Sequence, residues 1–495
     1  MKILMIYPEF PITFWSYKHA LNLINIKSLL QPLGFQTIAA LFPTEWERRL
    51  VDLNVTELFD ADLEWADYVF ISAMAIQEES VKKIISRCKE LEVKIVAGGP
   101  LFTGEYEQFD DVDHFILNEA ELTLPPFISD IEQNTLKRIY STSEFFDLGK
   151  SQVPQWDIID MDQYAIMGVQ YSRGCPFKCE FCNITVLLGH QMRLKSADHI
   201  IAELDSIYKI GWRKPIFFVD DNFIGNRSRL KAELLPLLIE WHKEHPEITF
   251  RTQVSINIAD DDELIHLMVE AGFKNVFIGI ETPDVAGLTE CTKKQNKNRN
   301  LIENVKHIHN SGLMVEAGFI VGFDSDTLDI FQRQIDFIQE SGIVTAMVGM
   351  LQAPVGTKLY ERLKREGRLL GRISGDNVDG STNIIPKMGL EALIEGYKKI
   401  LEYIYSPEHY TQRVKTFLQD FNRVKGVGNK KVKLSGMLIR LVYQLGVVDC
   451  DRKYFWKLIL WTLSHRRGLL LLAIGQAVAG YHFRRVCKAN LLKSG

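Results

Sequence analysis

The segment 171–183 reads YSRGCPFKCEFCN and places three cysteines in the pattern C-x-x-x-C-x-x-C, directly after the apolar run 165–171. Three thiolates on one short loop can hold three corners of a [4Fe–4S] cluster and leave the fourth iron open to a small chelating molecule. Buried or disulfide-bonded cysteines are one alternative, but clustered cysteines in a chain with only seven favour a metal site. Zinc is a stronger alternative, although its nearest fourth ligand, His190, belongs to no paired motif. The segment predicts a metal site on Cys175, Cys179 and Cys182.

The composition is that of a globular protein large enough for two or three domains. The chain has 495 residues, of which 46% are hydrophobic and 24% charged. An odd number of cysteines argues against an extracellular disulfide framework, and a reducing cytoplasm suits an oxygen-sensitive cluster. The apolar N-terminus, residues 1–8, is too short for a signal peptide and predicts a buried strand. Together these features predict a cytoplasmic protein.

Positive charge is concentrated at the C-terminal end. The net charge of the whole chain is −5, whereas residues 411–495 contain 17 Lys and Arg against 3 Asp and Glu. Leu, Ile and Trp are interleaved with these cations, which favours peripheral contact with a membrane surface and argues against nucleic acid as a partner. The apolar run 469–480 is shorter than the roughly 20 residues of a transmembrane helix. It predicts an interfacial helix or, alternatively, a helical hairpin packed on the protein.

Residues 1–150 alternate short apolar runs with helical patterns, which predicts an α/β fold with a doubly wound, Rossmann-like parallel sheet. The candidate strands are Ile3–Tyr7, Thr37–Leu41, Tyr68–Ser72, Lys94–Ala97 and His114–Leu117. Gly98-Gly99-Pro100 follows one of them, at the place where such sheets bind ligands, although a simple tight turn has the same pattern.

A second β–α rhythm runs over residues 164–365, after a linker at 151–163. Repeated β–α units predict a parallel barrel or part of one, with function at the carboxyl ends of the strands. Its later strands are predicted at Ile216–Val219, Phe250–Val254, Val276–Ile280, Val315–Val321 and Thr345–Leu351. Residues 366–495 lose this rhythm and predict a helical domain. The predicted domains are therefore 1–150, 164–365 and 366–495.

The cysteine loop resembles that of the radical S-adenosylmethionine (SAM) superfamily, since it follows an apolar strand and has an aromatic residue, Phe181, before the last cysteine. The resemblance implies a partial (β/α)6 barrel, a [4Fe–4S] cluster whose open iron binds SAM, and reductive cleavage of SAM to a 5′-deoxyadenosyl radical. It places Phe181 beside the cofactor and implies an external electron donor similar to flavodoxin or ferredoxin.

The first domain resembles the cobalamin-binding domain of B12-dependent radical SAM proteins. The resemblance rests on Pro8, Pro32-Leu33-Gly34, Ser72-Ala73-Met74, Gln77, Gly98-Gly99-Pro100 and Asn118-Glu119-Ala120-Glu121. It implies cobalamin contacts at Ser72, Met74, Gln77, Gly98, Gly99 and Glu119. The D-x-H-x-x-G signature that supplies a cobalt-ligating His in other cobalamin proteins is absent. The chain is therefore predicted to hold cobalamin without a His ligand to cobalt.

The resemblance also implies SAM contacts at the ends of the barrel strands. Asp220 and Asp221 stand where Gly-Gly-Glu is common; a carboxylate there can accept hydrogen bonds from the SAM ammonium, or cap the next helix instead. Gln253, Ser255 and Glu281 are expected to reach the ribose and methionine portions.

The segment 318–324, GFIVGFD, resembles the G-x-I-x-G-x-P element that supports the adenine of SAM. The expected contacts are Gly318 and Gly322, because glycine allows close approach of the backbone to the ring. Asp324 stands in place of the proline, so the match is partial.

The whole chain resembles B12-binding radical SAM proteins with a helical C-terminal domain, the group that includes the hopanoid C-2 methylase. The implied reaction is methylation of an unactivated carbon of a lipid or terpenoid-like substrate, with the difficult chemistry carried by the cofactors. A cyclisation or rearrangement enzyme of the same class is one alternative, and a non-catalytic iron–sulfur module docked on a membrane is another. No Ser–His–Asp triad, Walker loop or zinc-protease helix competes with this interpretation, and the sequence does not name the substrate.

Overall fold

The computed structural model describes residues 1–422 and 436–493, without the side chains of 491–493. Its strands are β1 (Lys2–Tyr7), β2 (Ser28–Leu30), β3 (Glu47–Asp52), β4 (Tyr68–Ser72), β5 (Lys94–Gly98), β6 (His114–Ile116), β7 (Ile139–Tyr140), β8 (Tyr164–Val169), β9 (Ser172–Arg173), β10 (Arg193–Leu194), β11 (Ile216–Phe218), β12 (Phe250–Val254), β13 (Phe273–Glu281), β14 (Met314–Val321) and β15 (Ala346–Met350).

The α-helices are α1 (Lys18–Leu21), α2 (Leu33–Ala39), α3 (Asp60–Trp65), α4 (Glu78–Glu90), α5 (Pro100–Glu105), α6 (Ala120–Gln133), α7 (Ile184–Leu188), α8 (Ala197–Lys209), α9 (Arg227–Arg229), α10 (Leu235–Glu244), α11 (Asp262–Glu270), α12 (Val285–Glu290), α13 (Leu301–Asn310), α14 (Ile330–Ser341), α15 (Lys358–Arg365), α16 (Leu390–Ile404), α17 (Pro407–Asp420), α18 (Gly436–Tyr443), α19 (Arg452–His465) and α20 (Leu470–Lys493).

The N-terminal sheet has six parallel strands in the order β3-β1-β4-β5-β6-β7. Both of its faces are buried: Leu4 and Ile6 of β1 belong to one apolar cluster, and Ile3 and Met5 belong to another. A parallel sheet buried on both faces is the expected form of a doubly wound fold. The predicted α/β class is confirmed, and the carboxyl ends of β1, β4 and β5 lie side by side.

The strand predicted at Thr37–Leu41 is wrong, since these residues end α2 and form the turn that follows. A short apolar run does not distinguish a strand from a helix, and Phe35 and Ala39 are four residues apart on the buried face of α2. The strand beside β1 is β3, which was not predicted. It begins with the charged residues Glu47-Arg48-Arg49 at the edge of the sheet, so it lacks a clear apolar pattern.

The second sheet has seven parallel strands in the order β15-β14-β13-β12-β11-β8-β2 and curls into a half-barrel. Six of these strands, β8 and β11–β15, confirm the predicted partial (β/α)6 barrel. The seventh, β2, comes from the first 150 residues, and its Ser28 and Leu30 pair with Tyr164 and Ile166 of β8. The N-terminal part of the chain therefore extends the barrel sheet by one strand.

An aromatic segment, residues 13–17, packs inside the half-barrel. Trp15 Nε1 donates to Met347 Sδ at 3.0 Å, and its ring meets Phe277 edge-on with the ring centroids 5.5 Å apart. Phe14 stacks on Phe483 of α20, with the centroids 4.2 Å apart. The segment contacts Phe277 and Met347 from within the half-barrel, and it ties the barrel to the last helix.

The C-terminal region is helical, as predicted, and consists of α16–α20. The apolar run 469–480 lies largely in α20, where Ala473, Phe483 and Cys487 belong to the core cluster of the barrel. The run therefore packs on the protein as part of a hairpin with α19, which was the alternative prediction, and does not form a separate interfacial helix. Among the described residues no helix is both long enough and apolar enough to cross a bilayer. Part of the predicted basic surface, Arg423, Lys425, Lys430, Lys431 and Lys433, lies outside the described residues.

Candidate active site

The cysteine loop leaves the barrel after β8 and is closed by a short antiparallel pair. Ser172 and Arg173 of β9 lie opposite Leu194 and Arg193 of β10. Between them, Gly174 has a φ of +94°, and a Cβ at this position would lie 2.6 Å from the Gln191 carbonyl oxygen. Only glycine allows this turn into the first cysteine.

The three predicted ligands, Cys175, Cys179 and Cys182, lie together on this loop and are partly buried. Burial raises the pKa of the Cys182 thiol to about 12, and the neighbouring Cys179 and Cys175 act in the same direction. Burial also raises the pKa of the other two thiols. Crowded thiols of this kind ionise when a metal replaces their protons, so the donor set fits an iron–sulfur cluster.

A buried ion pair adjoins the cysteines. Lys293 Nζ lies 2.6 Å from Glu281 Oε1, and the lysine lowers the pKa of the Cys179 thiol, opposing the effect of burial. Glu281 ends β13 with a φ of +66°, and a Cβ on Gly279 would collide with both charged groups. The predicted cofactor contact Glu281 is thus placed beside the cysteine loop, with one carboxylate oxygen held by Lys293.

The two aspartates at the end of β11 have different surroundings. Asp220 is fully buried and accepts hydrogen bonds from Tyr171 N, at 3.1 Å, and from Ser172 Oγ, so it fixes the corner where the cysteine loop begins. Burial raises its pKa to about 6 despite these bonds. Asp221 is only partly buried, and burial together with the Asp220 charge raises its pKa to about 7. Neither caps the next helix, because Asn226 caps α9.

The other predicted SAM positions lie in β12 and β14 or directly after them. Gln253 is partly exposed at the end of β12, and Ser255 Oγ donates to Asn257 Oδ1 at 2.6 Å. Gly318 faces the interior, where a Cβ would meet Phe277 Cζ at 3.0 Å. Gly322 has a φ of +103°, and its N–H donates to Asp326 Oδ2 at 2.8 Å. SAM contacts at these residues stay predictions.

Asp324, which replaces the expected proline, anchors an ion-pair network. Its carboxylate accepts from Arg362 Nη1 at 2.8 Å and from Arg368 Nη2 at 2.5 Å. Burial alone would raise the pKa of Asp324, but the hydrogen bonds from Arg368 and Arg362 hold it far below its usual range. Arg362 also binds Glu180, between two of the cysteines, at 2.9 Å. The network joins the cysteine loop to the loop after β14.

The predicted cobalamin contacts gather at the carboxyl edge of the N-terminal sheet. Buried Gln77 accepts from Met74 N at 2.9 Å and donates to Pro8 O at 2.5 Å, which ties the turn after β4 to the end of β1. Gly99 has a φ of +88°, and a Cβ there would lie 2.7 Å from Ser72 Oγ. On Gly98, a Cβ would lie 2.7 Å from the Ile116 carbonyl oxygen. Met74 is half exposed at this edge, which is where doubly wound sheets bind ligands.

Glu119 has a structural role that the sequence did not reveal. Its carboxylate oxygens accept from Arg193 Nη1 and Nη2, both at 2.7 Å, and from Phe146 N at 2.5 Å. Beside it, Arg173 forms a two-pronged contact with Glu121, at 2.7 and 3.1 Å. These pairs connect the N-terminal sheet to both strands that close the cysteine loop, so the predicted cobalamin contact at Glu119 would have to share a carboxylate that is already engaged.

Comparison with known proteins identifies the family of this chain. Residues 20–128 match the B12 binding domain model, residues 169–338 the radical SAM superfamily model, and residues 357–493 a domain of unknown function. The chain is 39% identical to an uncharacterized methyltransferase of Synechocystis sp., over 94% of this chain and 88% of the relative. It is 30% identical to the hopanoid C-2 methylase of Rhodopseudomonas palustris, over 93% and 89%. The chain belongs to the cobalamin-dependent radical SAM methyltransferases.

Members of the cobalamin-dependent radical SAM methyltransferases use a [4Fe–4S] cluster, SAM and cobalamin, and these are the cofactors of this enzyme.

The fold agrees with solved structures. The cobalamin-dependent radical enzyme OxsB superposes with a TM-score of 0.64 at 15% identity, over all of this chain and 81% of OxsB. The methyltransferase TsrM from Kitasatospora setae superposes with a TM-score of 0.56 at 12% identity, over 74% and 78%.

Three residues of the site were missed from the sequence. Lys293 lies in a Lys-rich run without a motif, and Arg173 and Arg193 have partners 52 and 74 residues away. The only signal in the sequence was that Arg173 and Arg193 lie close to the cysteine motif along the chain.

Proposed function

We propose that this methyltransferase acts on an unactivated carbon of a lipid or terpenoid-like substrate. The observation that carries the proposal is a group of apolar side chains on the inner face of the half-barrel, which we call the apolar lining. Phe217, Phe277 and Met347 face the interior from three strands, each partly exposed between two buried neighbours, and Trp15 contacts the last two. The charge nearest to the apolar lining, Arg251 over the Phe217 ring, is neutralised by its ion pair with Glu316. Apolar side chains of this kind favour a hydrocarbon over a sugar or a peptide.

The apolar lining shares strand β13 with Glu281, which lies beside the cysteine loop. Phe277 and Glu281 are four residues apart on β13, which corresponds to about 13 Å along a strand. A substrate seated on Phe277 therefore extends toward the Lys293–Glu281 pair. When bound, cobalamin and SAM supply the methyl group and the radical chemistry, and the protein positions the substrate and excludes water. The 30% identical relative named a hopanoid C-2 methylase supports a substrate of this class.

Isotope-labelled SAM tests the proposal. The anaerobically purified enzyme is supplied with cobalamin, trideuteromethyl-SAM, titanium(III) citrate and a lipid extract of the producing cells. We expect a lipid that carries the deuterated methyl group, together with 5′-deoxyadenosine. A product without label would favour cyclisation or rearrangement, and absence of 5′-deoxyadenosine would favour a non-catalytic module.

A substitution pair tests the apolar lining itself. Met347→Lys places a charge among apolar side chains, whereas Met347→Leu conserves volume and polarity. We expect Met347→Lys to lose methyl transfer at least tenfold while SAM cleavage without substrate persists, and Met347→Leu to stay within about threefold of wild type. Equal methyl transfer by the two variants would place the substrate elsewhere.

The proposal includes cobalamin held without a His ligand to cobalt. The first 150 residues contain two histidines. His114 begins β6, at the opposite end from the carboxyl edge, and His19 lies 5.5 Å from His482 by ring centroids. Neither stands beside Gly98 and Gly99. The reconstituted protein should show the absorption spectrum of cobalamin without a histidine ligand, and a histidine-ligated spectrum would contradict this part.

Radical SAM enzymes act on small molecules and need a reductant. We further propose a flavodoxin- or ferredoxin-like protein as the electron donor.

We also propose peripheral contact with the inner face of the cytoplasmic membrane. This proposal rests on an apolar surface of the C-terminal helices, which we call the outer stripe. It consists of Ile439, Tyr443 and Val447, followed by Trp456 and Leu460 of α19, and these side chains are 40–70% exposed.

The two parts of the outer stripe are joined by a hydrogen bond, and the segment that carries them is rich in cations. Trp456 Nε1 donates to Gly446 O at 2.8 Å, which holds α19 against the π-helical segment Gln444–Val448 that continues α18. Residues 436–493 contain ten Lys and Arg against two acids, Asp449 and Asp451, and both acids pair with Arg484. Exposed Trp, Tyr and aliphatic side chains beside unbalanced positive charge are typical of surfaces that enter the interface of an anionic bilayer.

Vesicle binding tests the outer stripe. We expect the full-length protein to bind vesicles of phosphatidylglycerol and phosphatidylcholine at low salt, and Ile439→Asp with Leu460→Asp to reduce binding at least tenfold. The matched control, Val285→Asp with Leu328→Asp, changes two equally exposed apolar residues elsewhere. Deletion of residues 454–495 is not a suitable test, because it removes Phe483 from its stack on Phe14. Equal binding by both pairs would contradict the membrane contact.

A further inference from the structure

Three chain segments bring lysines to the rim of the cysteine loop. Lys178 lies within the loop, Lys294 follows the segment that holds Lys293, and Lys358 begins α15. Thr292 Oγ1 donates to the Lys178 carbonyl oxygen at 2.6 Å, and Leu359 N donates to the Glu180 carbonyl oxygen at 3.1 Å. These contacts fix both neighbouring segments to the loop. We call Lys178, Lys294 and Lys358 the lysine rim.

The positive charge of the lysine rim is not neutralised locally. All three side chains are exposed, and none forms an ion pair within residues 1–422 and 436–493. Three of the acids that adjoin the loop are engaged elsewhere: Glu180 binds Arg362, Glu281 binds Lys293, and Glu290 accepts from Asp324 N and Ser325 N. The rim therefore presents a positive surface beside the cysteine loop, in a chain whose net charge is −5.

We infer that the lysine rim is the docking surface for a small acidic electron-transfer protein. The inference rests on the proposed function, since the enzyme needs one electron to cleave SAM. One electron leaves the reduced donor, which is oxidised by one, and enters the cluster, which is reduced by one. Cys179 directly follows Lys178 and is only partly buried, so a donor seated on the rim comes as close to the cluster as the loop allows. Complementary charge raises the rate of such encounters and makes them dependent on salt.

Charge reversal distinguishes an effect on docking of the electron donor from an effect on SAM cleavage itself. The test variant combines Lys178→Glu, Lys294→Glu and Lys358→Glu. The control combines Lys83→Glu, Lys209→Glu and Lys399→Glu, which are exposed lysines on α4, α8 and α16, so both variants change the net charge equally. Binding of purified flavodoxin is measured by titration calorimetry at two salt concentrations. SAM cleavage is measured in parallel with reduced flavodoxin and with titanium(III) citrate.

We expect the rim variant to bind flavodoxin at least tenfold more weakly than wild type at low salt, and to lose most of the salt dependence. Its flavodoxin-driven SAM cleavage should fall by a similar factor, while cleavage driven by titanium(III) citrate stays within about twofold. Equal flavodoxin binding by the two variants would overturn the inference. Loss of cleavage with titanium(III) citrate in the wild-type protein would instead contradict the proposed function, so the two failures are distinguishable.

Discussion

Glu119, at the start of α6, holds Arg193 of the cysteine loop through two hydrogen bonds of 2.7 Å. Both side chains are largely buried, and the neighbouring Arg173–Glu121 pair repeats the contact on the other strand of the loop. A planar guanidinium that binds both oxygens of a carboxylate fixes orientation as well as distance. The position of the cysteine loop relative to the N-terminal sheet is therefore set by two such pairs.

Loss of this contact should disturb the cluster loop and weaken the protein. Arg193→Met leaves the buried Glu119 carboxylate only Phe146 N and the more distant Arg173, at 3.5 Å, and breaking a buried ion pair in this way costs up to about 3 kcal/mol. We expect a lower thermal midpoint and an altered electron paramagnetic resonance spectrum of the reduced cluster. Arg138→Met, which removes an exposed pair with Asp110, should change neither. If Arg193→Met with Glu119→Gln is destabilised by the sum of the two single variants, the pair is not coupled.

Each of the three loop cysteines should be essential, and a fourth nearby cysteine should not. We expect Cys175→Ala, Cys179→Ala and Cys182→Ala each to lose cluster absorbance and 5′-deoxyadenosine formation. Cys291 is the matched control, because its backbone carbonyl accepts from Glu180 N while its thiol faces Leu288 O. Cys291→Ala should retain the cluster. Iron content, absorbance and SAM cleavage check this expectation, and a cluster lost only in Cys291→Ala would reverse the assignment.

The turn after β5 should not tolerate a side chain. Gly99→Ala requires a backbone conformation that costs roughly 1–3 kcal/mol for other residues, and its Cβ approaches Ser72 Oγ. We expect several-fold less cobalamin per chain after reconstitution. Gly104→Ala is the control, since it lies in α5 with no heavy atom within 4 Å of the added carbon. Gly104→Ala should bind cobalamin normally, and equal cobalamin content in the two variants would refute the prediction.

The packing of α20 should weaken in mild acid. Burial lowers the pKa of His482 to about 4, and its Nε2 lies 3.0 Å from Phe14 O and 3.1 Å from Thr13 O. A lowered histidine pKa favours the folded state above the unfolded pKa of about 6.5, and this stability is lost as the pH falls from there toward 4. Between pH 7.5 and 5.5 the loss is about 1 kcal/mol.

His482→Gln removes the titrating imidazole at this position, so the thermal midpoint of the variant should fall less than that of wild type over the same pH range. Buried His309, whose pKa burial lowers to about 3, titrates in both proteins and cancels in the comparison. Parallel curves for the two proteins would show that His482 makes no contribution.

The parts of the fold that were predictable depend on neighbours in sequence. The buried barrel strands and the turn at Gly98-Gly99 are local patterns, and the structure has both at the expected positions. The short run at Thr37–Leu41 failed because it fits a strand and a helix equally well. Lys293, Arg193 and the burial of α20 depend on partners such as Glu281, Glu119 and Phe14, which only the folded chain brings together. Long-range pairing of this kind leaves no periodic signal in the sequence.

The pairing of β2 with β8 has a practical consequence for anyone who wishes to exchange parts between related enzymes. A gene fragment that starts at residue 151 would encode a barrel whose β8 has lost its neighbour and whose interior has lost Trp15. The bare edge of β8 would then be free to pair with other chains and to aggregate. The cobalamin-binding part therefore cannot be exchanged as a separate unit. In a chimera, residues 13–30 should come from the same parent as the barrel, so that the contacts of β2 and Trp15 are kept.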